Sequence, residues 1–200
     1  SFFALQLVTG LEAVKLGNLK LKNGFIKAAT NEGMCKDGKP SEKLTAFHAG
    51  IASGGTALTT VSYGAVSEDG RTFTDQLLMT KEALPGLKAL CQAVHTNGAK
   101  ASIQLTHCGY FTKNTKIKHP ISPSRIFNEY GALSGLMFSK AMDDQDLQRV
   151  RKDFVNAAQL AKEAGFDAVE YVGGTGVTVV GSPNVLSYRK HFLSGIHGSP

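Results

Sequence analysis

The three cysteines of the 200-residue chain, Cys35, Cys91 and Cys108, lie far apart and form no Cys-x-x-Cys pair. That scarcity argues against a zinc or iron–sulfur site within these residues and against a disulfide framework, and it suits a reducing, cytoplasmic compartment. His48, His95, His119, His191 and His197 show no metal-ligand spacing. No apolar run approaches the ~20 residues of a membrane span. The opening residues are soon interrupted by Glu12 and Lys15, a poor signal peptide. No initiator methionine is present, so the chain is expected to be part of something longer. There is no Gly-x-Ser-x-Gly elbow, which makes hydrolase chemistry a poor reading. The 22 basic residues outnumber the 16 acidic ones for a net charge of +6, yet their small clusters, Lys20/Lys22/Lys27, Lys36/Lys39/Lys43 and Lys113/Lys116/Lys118, have no interleaved aromatics. They read as solvated faces rather than a nucleic-acid surface, while the basic field favours an anionic cofactor or substrate.

What is present is an ordinary globular composition, 42% hydrophobic and 19% charged, enough for one domain over residues 1–200 with a substantial core. Residues 24–30 read as a short strand. Ser41 then caps a helix whose apolar positions are Leu44, Phe47 and Ile51 and which Gly54-Gly55 stops. The β-branched run 56–62 predicts a second strand. Thr80 reads as the N-cap of a helix with a buried stripe of Leu84, Leu87, Leu90/Cys91 and Val94, closed by Gly98 at C′. A third strand ends at Thr106. The irregular stretch 106–142 is long enough to be functional or mobile. Asp143/Asp144 cap a further helix with the face Leu147, Val150, Phe154, Ala157/Ala158, Ala161 and Ala164, ended by Gly165. Residues 166–172 are a fourth strand, and residues 173–200 a divergent tail. Fourfold alternation of strand and helix predicts an α/β fold with a parallel sheet. The choice lies between a doubly wound sheet and a TIM-type (β/α) barrel, and the lack of Gly-x-Gly-x-x-Gly after the first strand weakens the former.

The third strand carries the main chemical signal. Ala101, Ile103 and Leu105 alternate with Ser102, Gln104 and Thr106, so Gln104 points opposite to Ile103 and Leu105 near the strand's C-terminal end. Barrels keep their chemistry at that end. A primary amide both donates and accepts. It can meet the edge of a heteroaromatic ring such as a flavin, or it can hydrogen-bond backbone at a strand end, and the stretch alone leaves both readings open.

Taken in order, several pieces resemble the Old Yellow Enzyme group of NADH:flavin oxidoreductases: Leu21-Lys-Asn23 with the strand to Thr30, Val66-Ser-Glu-Asp-Gly-Arg71, Leu84-Pro-Gly-Leu-Lys with Ala93-Val-His, Gln104-Leu-Thr-His-Cys-Gly109, Pro120-Ile-Ser-Pro-Ser124, and Phe154-Val-Asn-Ala-Ala on to Ala164-Gly-Phe-Asp-Ala-Val-Glu170. The match runs from about Leu21 to Glu170. The resemblance implies a TIM barrel that holds flavin mononucleotide (FMN) at its strand ends, is reduced by NAD(P)H and passes hydride to an activated alkene. It places Ala28, Ala29 and Thr30 against the isoalloxazine, Tyr63 or Gly64 where the second strand touches the ring, and Gln104 on the flavin-contacting glutamine. His107 falls on a position read as structural, holding the loop.

The departures carry equal weight. The family's His-x-x-His or His-x-x-Asn oxyanion clamp and its tyrosine proton donor fall on Val172, Thr175 and Val177. Donors aimed at a developing oxyanion are worth a few kcal/mol each. Tyr110 replaces the arginine that closes the third-strand motif, and Ser182-Pro-Asn-Val-Leu-Ser-Tyr-Arg189 only faintly echoes a later motif. A full barrel needs roughly 250 residues, so the chain reads as the first four β/α units of eight. Three explanations follow: a fragment of a longer flavoenzyme, a flavin-binding or scaffold half-barrel without the usual chemistry, or a tail with its own phosphate site at Gly173-Gly-Thr-Gly176, which also reads as a plain turn. Open barrel edges would favour self-association.

Overall fold

The computed structural model describes residues 10–171. The period-two segments form strands β1 (Ile26–Lys27), β2 (Leu58–Ala65), β3 (Lys100–Thr106) and β4 (Ala168–Tyr171), hydrogen-bonded in that order and parallel throughout. Each crossover carries one helix: α1 (Glu42–Ser53), α2 (Leu84–Thr96) and α3 (Asp144–Ala164). Before β1, an antiparallel hairpin of Val14–Leu16 and Leu19–Leu21 packs Leu21 on Ala57 and Leu58, over the N-terminal end of β2.

Strand alternation decides between the two architectures. Val61, Ala101, Ile103 and Leu105 share one core with Leu44 and Ala52 of α1, Leu87, Leu90 and Val94 of α2, and Val150, Phe154 and Ala161 of α3. Thr60, Ser62, Ser102, Gln104 and Glu170 lie on the other face and bond to one another. All three helices therefore cover a single face. A doubly wound sheet has helices on both faces, whereas a (β/α) barrel keeps them outside, so this is part of a barrel. Parallel pairing brings Thr30, Ser62 and Thr106 to the same end of the sheet; Val172 lies outside the described residues.

Local chemistry explains where the elements begin and end. β1 is shorter than residues 24–30, because Asn23 Oδ1 accepts from the Phe25 amide at 3.0 Å and holds a turn just before it. Ser41 caps α1 as its sequence position predicts, its side chain accepting from Leu44 N. The buried stripe of α1, however, is Leu44, His48 and Ala52, and Phe47 is exposed. His48 takes the inner position because it lies one i,i+4 step from Leu44 and finds a buried partner, Thr59 Oγ1, at 2.7 Å. α2 starts at Leu84 and not at Thr80: residues 80–83 form a turn, and Pro85, which lacks an amide proton, occupies the first helical turn. Its buried stripe is Leu87, Leu90, Cys91 and Val94. Asp143 caps α3 in a reciprocal pair with Asp146, and Gly165 closes it in the left-handed region at φ 98°.

The stretch 106–142 holds little regular structure, a parallel pair of Ile121–Ser122 with Lys140–Ala141 and one 3₁₀ turn, Ala132–Ser134. Buried side chains hold it instead. Asn128 donates to Thr112 O at 2.7 Å and accepts from Gly131 N at 3.0 Å, while Ser122 and Ser139 hydroxyls bond at 2.5 Å. A β-carbon at Gly131 would stand 2.2 Å from Thr112 O, so only glycine fits that crossing.

Candidate functional site

The register sets the site. Ser62 pairs with Gln104 and Gln104 with Glu170, so three polar side chains stand abreast across β2, β3 and β4 on the helix-free face. Ser62 Oγ donates to Gln104 Oε1 at 3.4 Å, and Gln104 Nε2 donates to Glu170 Oε2 at 3.1 Å. One layer deeper, Thr60 and Ser102 hydroxyls bond at 2.6 Å, and Thr60 reaches Glu170 Oε1 at 3.3 Å. Gln104 is only half-buried, and its amide lies toward the C-terminal end of the strands, as the alternation of the sequence requires. The residues of β2 just beyond Ser62 break register with β3, with Gly64 opposite Leu105, so Tyr63 is bulged out of the ladder. Burial, with the neighbouring Tyr130 and Cys108, raises the Tyr63 phenol above its ordinary range. Gly64 is buried, and a β-carbon there would lie 2.8 Å from Met79 Sδ and 3.2 Å from Ile103 Cδ1. Its α-carbon therefore faces the core, and only its backbone is available to the mouth.

After β1, Ala28 and Thr30 are exposed and Ala29 is half-buried, a short run of small side chains at the strand end. Just beyond them stands a group that the sequence reading did not identify. The Glu32 carboxylate accepts from Ser62 N at 3.0 Å and from the Lys27 ammonium, which also donates to Thr60 O at 3.1 Å. His48 Nε2 lies 3.6 Å from the same carboxylate. Burial, reinforced by Lys27, pushes the His48 pKa down to about 4, so the ring is neutral beside an intact ion pair. The signal was a lysine inside a strand with an acid five residues on, which the period-two pattern gave no reason to single out. A cleft opens here, lined by Asn31, Glu32, Met34, Cys35, Ser62 and Tyr63. Cys35 is no nucleophile there, because burial and the charge of Glu32 raise its thiol to about 11.

His107 is fully buried and accepts from Gly109 N at 3.1 Å through Nδ1, with Nε2 3.6 Å from Asp69. Asp69 also meets Arg149 of α3 at 2.5 Å and the Ser67 hydroxyl at 2.6 Å. Burial alone would raise the Asp69 pKa, but His107, Arg149 and Ser67 outweigh it and hold the carboxyl far below the usual range. This network ties the loop after β2 to β3 and α3, the loop-holding part expected of His107.

The mouth residues fit one portion of FMN. A half-exposed primary amide flanked by a hydroxyl and a carboxylate suits alternating ring acceptors and donors, and small residues at Ala28 and Ala29 leave room for a flat ring. They offer nothing to the phosphate, since Lys27 is committed to Glu32. Val172, Thr175, Val177 and Gly173-Gly-Thr-Gly176 lie outside the described residues. Among those residues no group of three or more histidine, cysteine or acidic side chains could hold a metal ion, and no helix is long and apolar enough to cross a membrane.

Comparison with known proteins agrees with the partial-barrel fold. A 4,4'-dithiodibutanoate disulfide reductase of Rhodococcus erythropolis is 42% identical over 163 residues, covering 80% of this chain and 39% of that protein. An NADPH dehydrogenase of Listeria innocua is 35% identical over 184 residues, covering 88% and 51%. Among solved structures, Old Yellow Enzyme from Pichia sp. superposes with a TM-score of 0.75 at 21% identity, covering 81% of this chain and 45% of that one. Morphinone reductase gives 0.75 at 20%, covering 94% and 59%. The chain thus spans between 39% and 59% of the length of these relatives. The NADH:flavin oxidoreductase / NADH oxidase family matches residues 11–177, and the chain belongs to that family.

Proposed function

We propose that the chain carries the flavin-facing part of an FMN-dependent NAD(P)H oxidoreductase, with Ala28, Ala29, Thr30, Tyr63, the Gly64 backbone and Gln104 toward the isoalloxazine. Family membership implies FMN and NAD(P)H as cofactors. Bound FMN would supply hydride to an acceptor. The observation that carries the reading is the Ser62–Gln104–Glu170 row, whose central amide sits half-exposed at the strand ends. Gln104 orients the ring edge, Ser62 and Glu170 fix the amide, and Glu32 with Lys27 braces the backbone at Ser62.

A second reading concerns the acceptor. Reduction of an enone develops negative charge on oxygen and needs donors to meet it, and Val172 and Val177 bring none. Reduction of a disulfide adds hydride to one sulfur, breaks the S–S bond and releases the other sulfur as thiolate, with NAD(P)H as the reductant. No enolate oxygen forms, so the missing donors are not needed. The relative named as a disulfide reductase favours this acceptor class.

The test is FMN binding by the purified chain, read from its visible spectrum, followed by NAD(P)H oxidation with cyclohexenone or with a linear dicarboxylic disulfide. Flavin binding with turnover of the disulfide above that of the enone supports both readings. Brisk enone turnover overturns the second, and no flavin binding overturns the first.

A further inference from the structure

An open cleft at the other end of the sheet belongs to no part of the flavin reading. It measures about 310 Å³ and is lined by Lys20, Lys22, His95, Gly98 and Lys100. That volume is at the lower end of small-ligand pockets, roughly 300–1,000 Å³. It lies where β2 and β3 begin, Lys100 N donating to Ala57 O at 2.8 Å. Gln104 is four residues along β3, about 13 Å away at the usual strand rise.

Three elements bring the charges together. Lys20 comes from the hairpin that covers the N-terminal end of β2 and Lys22 from the residue just after it, His95 from the last turn of α2, and Lys100 from the start of β3. Lys22 Nζ lies over Gly98, 3.8 Å from where a β-carbon would stand, at a position whose φ of 71° favours glycine. Asp167 lies behind two of these groups, bonded to them without lining the cleft. Its carboxylate binds Lys100 Nζ at 2.8 Å, His95 Nε2 at 2.7 Å and the Ala101 amide at 2.9 Å, which fixes two of the basic groups at the rim. Among the described residues no carboxylate pairs with Lys20 or Lys22. Three lysines against one aspartate leave a surplus of about two positive charges in one concavity, and a low-dielectric wall focuses such a field.

The geometry points to an anion site at the N-terminal face of the sheet, one that takes a phosphoryl-type dianion. A single carboxylate would leave half the surplus unmatched. A phosphoryl group presents several acceptor oxygens to lysines that converge as point charges. The group could belong to a free inorganic anion or to a nucleotide, and the chemistry at the lysines is the same.

The experiment titrates the full chain at low salt with inorganic pyrophosphate and, separately, with ADP, following backbone amide resonances. The expected result is saturable shifts at Gly98, Ala99 and Lys100. The double variant Lys20→Gln/Lys22→Gln should weaken the affinity about thirtyfold, from two exposed ion pairs at the stronger end of their range. Both lysines are exposed, so the fold persists, and an unchanged spectrum elsewhere checks this. Lys36→Gln/Lys43→Gln, on another surface, should leave the affinity unchanged. Equal affinities for both ligands assign the free anion, and tighter ADP binding assigns the nucleotide, either of which supports the site. Shifts scattered over all lysine clusters, or equal affinity in the Lys20/Lys22 variant, would overturn it.

Discussion

Gln104→Leu separates a flavin-facing amide from a merely structural one. The leucine keeps the approximate volume and removes the acceptor of the Ser62 hydroxyl at 3.4 Å and the donor to Glu170 at 3.1 Å. Gln104 is half-buried and Glu170 exposed, so water can replace both partners in the free chain, and the stability change should stay within about 1 kcal/mol. Bound flavin changes the balance. A ring edge pressed on leucine loses polar partners that water can no longer reach, at about 1–3 kcal/mol each. One such loss weakens FMN roughly 5- to 150-fold. The assay is quenching of flavin fluorescence on titration with the parent and variant chains, paired with urea unfolding of each. Weakened binding with near-parental stability is the expected pattern. Unchanged affinity would remove Gln104 from the flavin site, and a loss of stability as large as the loss of affinity would show that the amide acts through the fold.

Other expectations follow from the same geometry. His48 has a pKa near 4 in the fold and about 6.5 when unfolded, so the unfolded chain binds the extra proton. Stability is therefore full above pH 6.5 and falls by about 3 kcal/mol as pH drops to 4. His48→Gln should flatten that window in urea titrations and leave the loss below pH 4, where Asp69 of the unfolded chain takes up a proton that the folded carboxyl resists. Glu32→Gln leaves the Lys27 ammonium, only 16% exposed, without its partner; it should cost toward the lower end of roughly 3–5 kcal/mol, since the bond to Thr60 O survives, and a loss under 1 kcal/mol in urea unfolding would contradict the pairing. Among the described residues β1 and β4 have unpaired outer edges, so sedimentation should show self-association, and a strictly monomeric chain at micromolar concentration would count against it. In a flavin-loaded chain, Val172→His, Thr175→His and Val177→Tyr together should raise the rate at which cyclohexenone reoxidises the reduced protein, and equally brisk turnover by the parent would mean that the acceptor site lies elsewhere.

How far the sequence spoke depended on the kind of interaction. α3 was legible to the residue at both ends, because its signals are local: an aspartate cap with an acid three residues on, an apolar stripe at helical spacing and a terminal glycine. Gln104 was legible for the same reason, since alternation along one strand dictates its face. Phe47 and His48 were not. Hydrophobicity favours phenylalanine for the inner face of α1, but the partner that makes histidine preferable, Thr59 Oγ1, lies across a turn and on another element. Thr80 misled in the opposite direction, a good cap residue in the wrong turn, with Pro85 fixing the start of α2 instead. The Lys27–Glu32 pair was invisible because its meaning depends on Ser62 N, thirty residues away in sequence.

That pair also bears on how the mouth is built. The ladder of β2 is interrupted beside Ser62, where Tyr63 bulges and the strand bends. A bent strand end facing an open site would ordinarily leave an amide seeking water. Here the Glu32 carboxylate takes the Ser62 amide at 3.0 Å, and Lys27 holds the carboxylate from β1. The bend is thus braced by charge from the neighbouring strand, and the Ser62 hydroxyl stays directed at Gln104. Loss of Glu32 should therefore weaken flavin binding as well as stability, whereas loss of Asp69, which braces the outer loop through Arg149, should lower stability and spare the flavin affinity.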